Sequence, residues 1–443
     1  MIRLRVFTAR TAAAGKSHRV SGRAIRRSVR ITLCILCVLG VGILAQRIFS
    51  QTPGQGKRIV IAASAVFDGK GHILRDTRIV IEGSKIAAID PKAGPVDYDL
   101  RGLTVLPGWI DAHSHITWGF GKDGKNAGMN GTTQEAAYQS ASNAWMTLMA
   151  GFTTVQSPGS PTDIPLRDAI AQGTLPGPRI LTSAEPIIGR GEQTGPPDEL
   201  RAHVRRQKEA GADLIKILAS GGVGSGMTLS QEQLNAACDE AKKQGLRAIV
   251  HANKDAIKGV VLAGCTQVEH GRMATDDELK LMAEKGIYFD PQVELLFDTY
   301  LTNKGKYAGT PFFPKDEEAF VALNKKVVPL DHDLIRRAVK IQGLKIVFGT
   351  DAVAGAHGRN AEEFIYRVRV GGMDPMRAMV SAHSLGAEAL GMADQIGSIA
   401  PGLQADIIAL NGDPLKDLTA VRRVVFVMKG GTVYKNVARS AIH

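Results

Sequence analysis

Side chains that could serve a divalent metal stand in or at the end of separate apolar runs: His113 and His115 in Asp111-Ala112-His113-Ser114-His115, then Lys216, His251, His270 and Asp351. Imidazole nitrogens together with a carboxylate suit zinc or a similar divalent ion. In an extended strand residues i and i+2 share a side, so His113 and His115 can hold one ion between them. Lys216 lies inside DLIKILASGG, residues 213–222, where Leu214, Ile215, Ile217 and Leu218 mark a buried strand of a parallel sheet. A lysine there must shed its charge or find a partner, because an isolated ammonium in a dry site is very costly.

Taken singly, each position also has a plainer account. A histidine at a strand end is often only hydrogen-bonded structure, Asp351 in Gly-Thr-Asp can cap the next helix, and Lys216 can carry its head to solvent. What brings them together is the pattern of elements. Apolar strand candidates recur at 104–113, 152–157, 179–184, 214–220, 247–252, 266–271, 287–292 and 345–351, separated by helix-like stretches such as DELRAHVRRQKEAGA and SQEQLNAACDEAKKQGL. Eight β/α repeats over roughly 290 residues predict an α/β fold, a (β/α)8 TIM-like barrel, which keeps its chemistry at the C-terminal ends of its strands. All the candidate ligands fall at that end. The barrel is assigned to residues 107–396.

On either side the texture changes. RIVIAASAVFDGKGHILRDTRIVIEGSKIAAIDP alternates apolar and polar residues between Asp-Gly, Gly-Lys-Gly and Glu-Gly-Ser turns, and ADIIALNGDP and VRRVVFVMKGGTVYKN do the same near the other end. Residues 57–106 and 397–438 are therefore expected to build one small β-sandwich domain from both ends of the chain.

Composition bounds the function. The chain has 443 residues, 44% apolar and 22% charged, which is ordinary for a large folded protein. Its net charge of +12 is local: nine Arg or Lys and no acid fall in residues 1–30, and the rest carries about +3. No nucleic-acid face is implied. Next comes ITLCILCVLGVGILAQ, residues 31–46, without a charge. Two accounts stay open for residues 1–50. One is a signal peptide, despite a long basic region and no clean small-x-small cleavage site. The other is an uncleaved inner-membrane anchor with its basic end in the cytoplasm, although 31–46 is a little short of the roughly 20 residues of a span. Either places the remainder outside the cytoplasm, in the periplasm or beyond. Cys34 and Cys37 sit in the apolar segment, so only Cys238 and Cys265 are left in the folded part; export would let them pair, but their spacing does not establish it.

GWIDAHSH, LIKILASGGV, IVHAN, VEHG and FGTDA, in this order, resemble the amidohydrolase superfamily over roughly residues 57–438. The closest likeness is to the imidazolonepropionase-like and Xaa-Pro dipeptidase branch, whose strand-8 loop is similar to GTDAVAGAHGRNAEEF, with His357 and Asn360 in place. The resemblance implies two divalent metals, most readily zinc. His113, His115 and Asp351 would hold the more buried one and His251 and His270 the more exposed one. Lys216, carboxylated by CO2 to an anionic carbamate, would bridge them. It further implies a shared hydroxide that attacks an amide carbonyl, with Asp351 orienting it, taking its proton and passing it to the leaving amine. The expected activity is amide hydrolysis of a dipeptide or an N-acyl amino acid, in a homo-oligomer.

Two stretches depart from the branch. His251 and Ala252 are followed by Asn253 and Lys254 where many relatives read Ala-His, and strand 2 ends in Gln156-Ser157-Pro158 rather than Arg-Asp. Substrate recognition is therefore assigned from this chain's own residues: His357 and Tyr288, with Lys254 and Arg359 as carboxylate partners. The alternatives are a one-metal enzyme that opens a cyclic amide or deaminates a ring, against which Lys216 argues, and a tethered binding protein on an inactive hydrolase scaffold.

Overall fold

A computed structural model describes residues 57–127, 134–222, 225–310 and 313–437, of which the whole belongs to one compact unit beginning at Gly56. The expected leader and apolar segment lie outside the described residues. Among the residues described, no helix is long and apolar enough to cross a membrane.

Eight strands occupy the places that the periodicity predicts: strand 1 Trp109–Asp111, strand 2 Phe152–Ser157, strand 3 Arg179–Thr182, strand 4 Leu214–Leu218, strand 5 Arg247–Ala252, strand 6 Gln267–His270, strand 7 Tyr288–Asp290 and strand 8 Lys345–Ile346. Neighbours pair in parallel from strand 1 to 3 and from strand 4 to 8. The two arcs join where Asp213 N donates to Thr182 O (2.7 Å) and Ala112 N donates to Phe348 O (2.8 Å). Helices between the strands are cut by their sequence. Ser230 and Thr275 each open one with a reciprocal capping box, and Gly286 closes the second in a left-handed turn.

The period of two sorts each strand's side chains. Ile215 and Ile217 pack outward against Leu234 and Ala237 of the helix Gln231–Lys243, while Leu214 packs inward with Ile110, Leu181, Ile249 and Val347. Lys216 is i+2 from Leu214 and His251 is i+2 from Ile249, so both point into the barrel one layer above that apolar floor.

The sequence stretch 104–113 is not one strand. Thr104–Pro107 belongs to the small sheet and Trp109–Asp111 to the barrel. Gly108 makes the crossing, because a Cβ there would stand 2.1 Å from Thr153 Oγ1. The small domain also differs from the expected sandwich. Its eight strands form one hydrogen-bonded sheet instead of two stacked ones. Thr104–Pro107 runs parallel to Arg58–Phe67 and antiparallel to Ile407–Leu410, which stitches the two ends of the chain together. The sheet then curls until its far parts meet: Ile86 N donates to Leu403 O (2.9 Å) and Ala405 N donates to Ser84 O (2.8 Å). Alternation along hairpins shows that strands pair, but not where a sheet closes on itself.

His383 ties sheet to barrel. It is 1% exposed, precedes the helix Ser384–Ala389, and its Nε2 lies 3.1 Å from Pro107 O. Burial pushes its pKa down to about 4. A histidine held neutral in the fold stabilises above its unfolded pKa of about 6.5 and loses that contribution as pH falls toward 4, an effect of about 3 kcal/mol. Unfolding measured from pH 7 to 4 should therefore show a shallower acid decline for His383→Gln than for the wild type. Parallel curves would mean that His383 charges freely in the fold.

Candidate metal centre

The mouth of the barrel gathers the predicted ligands. His113, His115, Lys216, His251, His270 and Asp351 all line one cavity of about 550 Å3. His115 Nε2 is 3.0 Å and His113 Nε2 3.5 Å from the same oxygen, Asp351 Oδ1. Donors about 2.0–2.2 Å from a tetrahedral zinc sit about 3.4 Å from one another, so this trio has the spacing of a metal site. The His113 ring is 5.2 Å from that of His115 and 5.4 Å from that of His270, and His270 is 4.5 Å from His251, ring centre to ring centre. Both ring nitrogens of His113 are buried with no hydrogen bond, as is Glu269 Oε1. His113 Nδ1 faces two carboxylates, Asp290 Oδ2 at 3.3 Å and Glu269 Oε1 at 3.5 Å, which leaves Nε2, on the Asp351 side, as the nitrogen that a cation would satisfy.

Electrostatics suits that role. Burial pushes the pKa of His113 down to about 4 and of His251 to about 3, and carries His270 well below its ordinary value, so these imidazoles keep free lone pairs at neutral pH. Burial alone would raise Asp351, but His113, His115 and Lys216 outweigh it and hold the carboxyl far below the usual range. Asp351 is thus an anion in the buried part of the cavity.

Backbone and side-chain contacts outside the ligands fix these positions. Asp351 and His270 both adopt left-handed backbone, φ 50° and 63°, which costs a residue other than glycine about 1–3 kcal/mol. Asp351 N is held by His113 O at 2.7 Å, and Gly271 N by Ala252 O at 3.1 Å. Asp111 accepts from Thr350 N (3.1 Å), Thr350 Oγ1 (2.6 Å) and Asn360 Nδ2 (2.8 Å), clamping the start of the ligand stretch to the strand-8 loop. His270 Nδ1 lies 2.6 Å from Gln292 Oε1, whose amide donates to Asp290 at 2.8 Å. Such outer contacts set ring orientation at metal sites.

Lys216 has found a partner. Its ammonium pairs with Glu269, a fully buried carboxylate on the neighbouring-but-one strand. Glu269 is a site residue that the sequence reading missed: it groups with His113 and His270 with all donor atoms within 4.8 Å. Strand alternation puts Glu269 and His270 on opposite sides. The positive φ of His270 breaks that alternation and brings both to the same centre.

The recognition assignments fare differently. Tyr288 opens strand 7 at its N-terminal end, pairs in register with Lys345 and donates to Glu388 Oε1 at 2.8 Å, so it belongs to the other end of the barrel. Lys254 is exposed and outside the cavity lining. Arg359 is spent on Asp298 (2.7 Å) and Glu362 (2.6 Å). His357 stands behind the lining, its Nε2 3.3 Å from the carbonyl of Trp118, whose ring stacks on His115 at 4.3 Å. The altered stretches have structural uses. Gln156 donates to Ala112 O (2.8 Å) and accepts from Arg247 (2.6 Å), and Asn253 Oδ1 accepts from Arg272 N (3.1 Å). Arg272, two residues beyond His270, is the arginine that lines the cavity. Cys238 and Cys265 are joined in a disulfide, settling what their spacing left open.

Comparison with known proteins agrees with this barrel. The model of the amidohydrolase family matches residues 104–434, and the chain belongs to that family. Ochratoxinase from Aspergillus niger is 27% identical over 434 residues, covering 86% of this chain and 87% of that protein. A solved Xaa-Pro dipeptidase with methionine bound in its active site superposes with a TM-score of 0.76 at 32% identity, over 86% of this chain and all of that one. An imidazolonepropionase from Micrococcus luteus is 40% identical over 62 residues, 13% of this chain and 16% of that protein. The chain is a hydrolase acting on carbon–nitrogen bonds.

Proposed function

We propose that this amidohydrolase cleaves the amide bond of a dipeptide or an N-acyl amino acid at a site for two divalent metals, zinc most readily. His113, His115 and Asp351 would hold one metal and His251 and His270 the other, with Lys216, carboxylated by CO2, between them. The observation that carries this reading is the meeting of His113, His115 and Asp351 on one point, with His113 Nε2 buried and without a hydrogen bond. Metals bound there supply Lewis acidity toward a carbonyl oxygen and lower the pKa of water toward neutrality. Asp351, an anion at the cavity floor, takes a proton from the attacking water and returns it to the amine nitrogen. The C–N bond breaks, the water oxygen joins the carbonyl carbon, and its hydrogens end on the new carboxyl group and the amine before each adopts its ionised form. Trp118, Phe297 and Tyr300 wall the cavity with aromatic rings.

A location outside the cytoplasm is part of the proposal, and the bonded pair Cys238–Cys265 supports it, because such bonds persist in oxidising compartments. The ion pair Lys216–Glu269 favours a second reading, a one-metal enzyme acting on a cyclic amide, in which Lys216 is a buried structural cation.

Hydrolysis of a dipeptide and N-acyl amino acid panel should vanish after chelation and return on adding zinc. Unchanged turnover in the chelated, metal-free protein would contradict the metal-dependent reading.

A further inference from the structure

Arg272 is 7% exposed and lines the cavity that holds the metal-site residues. Its Nε donates to both oxygens of Asp331, each at 3.0 Å, and its guanidinium lies over the Phe297 ring, 5.3 Å from the centroid. Asn253 Oδ1 accepts from its backbone N–H, and its carbonyl accepts from Lys254 N at 2.9 Å, so main chain and side chain are both fixed. Among the described residues its two terminal nitrogens make no hydrogen bond. Lys216, the other cation of the lining, is already paired with Glu269. A rigid guanidinium with one edge tied down and the other facing a cavity is a fork for a carboxylate.

The surface beside that fork is apolar. The segment between strands 7 and 8 supplies Leu296, Phe297 and Tyr300 from the helix Leu295–Thr302, and Asn324 and Val327 from the long helix Glu317–Ala338. Asn324, Val327 and Asp331 recur at helical spacing on one buried face, so the residue that braces Arg272 and the residues that wall the cavity move as one piece. A group held by Arg272 has hydrocarbon and aromatic rings as its neighbours.

We infer that Arg272 binds the free carboxylate of the substrate, and that the residue bearing this carboxylate carries a large apolar or aromatic side chain seated against Phe297, Tyr300 and Val327. This rests on the amide-hydrolase reading above and names the half of the substrate that leaves as the amine. Charge-assisted hydrogen bonds of this kind are worth about 10- to 100-fold in affinity.

Two probes separate the inference from the reaction on which it rests. Calorimetry on the chelated, metal-free protein, which does not turn over, compares N-acetyl-L-phenylalanine with N-acetyl-L-phenylalaninamide, alongside cleavage of glycyl-L-phenylalanine by the zinc-loaded protein. The wild type should bind the acid about 10- to 100-fold more tightly than the amide. Arg272→Gln should abolish that preference by weakening the acid alone and should raise the dipeptide KM far more than it lowers kcat; Arg272→Lys should keep part of the preference. Phe297→Ala should weaken both phenylalanine probes without changing their ratio. An acid-to-amide ratio near one in the wild type, or one that survives in Arg272→Gln, overturns the inference even if the dipeptide is cleaved. The predicted discrimination without cleavage of any amide would leave the inference standing and remove the reaction.

Discussion

Asp351→Asn should lower kcat/KM by at least about 1000-fold and leave the fold intact. General base catalysis alone contributes about 100- to 10,000-fold, and Asp351 is also placed as a metal ligand, so two losses coincide. The fold should survive because asparagine is nearly the same size and is, with aspartate, among the residues that best tolerate left-handed backbone, here φ 50°. The hydrogen bond from Asp351 N to His113 O does not involve the side chain and stays in place. Kinetics and thermal melting together check this. A variant with near wild-type turnover would take the proton-transfer role away from Asp351.

The second large effect concerns Lys216. Lys216→Ala strips a buried carboxylate, Glu269, of its partner, and an uncompensated buried charge costs about 3–5 kcal/mol. Lower stability is therefore expected on either account of the lysine, and loss of activity alone cannot tell them apart. Carboxylation does separate them. It would replace an ammonium–carboxylate pair with two anions side by side, which only cations placed between them can offset. Metal loading and bicarbonate should therefore reinforce each other in the wild type and be independent in Lys216→Ala. Stability measured with and without zinc, with and without bicarbonate, reads this directly. If bicarbonate changes nothing in the wild type, Lys216 is a structural cation.

Much of this site is legible in the sequence, and for a physical reason. The strands of a parallel barrel are buried on both faces, so they read as apolar runs, and a polar residue closing such a run stands out. His113, His115, His251, His270 and Asp351 stand out in this way and Lys216 as the one charge inside such a run, and the structure brings all six to one cavity. The misplaced residues fail for equally physical reasons. Tyr288 begins its strand instead of ending it, and the N-terminal end of a strand lies away from the mouth. Arg359 and Lys254 read as free cations because a sequence does not show that Asp298 and Glu362 hold the first, or that the second turns outward. Arg272 was overlooked although it follows His270 by two residues, since its bracing partner Asp331 lies on a helix 59 residues away. Glu269 was hidden by the alternation that exposed its neighbours, which holds only until the backbone of His270 turns left-handed. The curl of the small sheet depends on contacts between distant turns, which no local pattern carries.

Metal content per chain, measured by elemental analysis on protein prepared with zinc and bicarbonate, bears most directly on the two-metal account. Two equivalents in the wild type, falling in Lys216→Ala, are the predicted result. A single equivalent, unchanged by that substitution, would contradict the bridged site and leave Lys216 as the buried partner of Glu269.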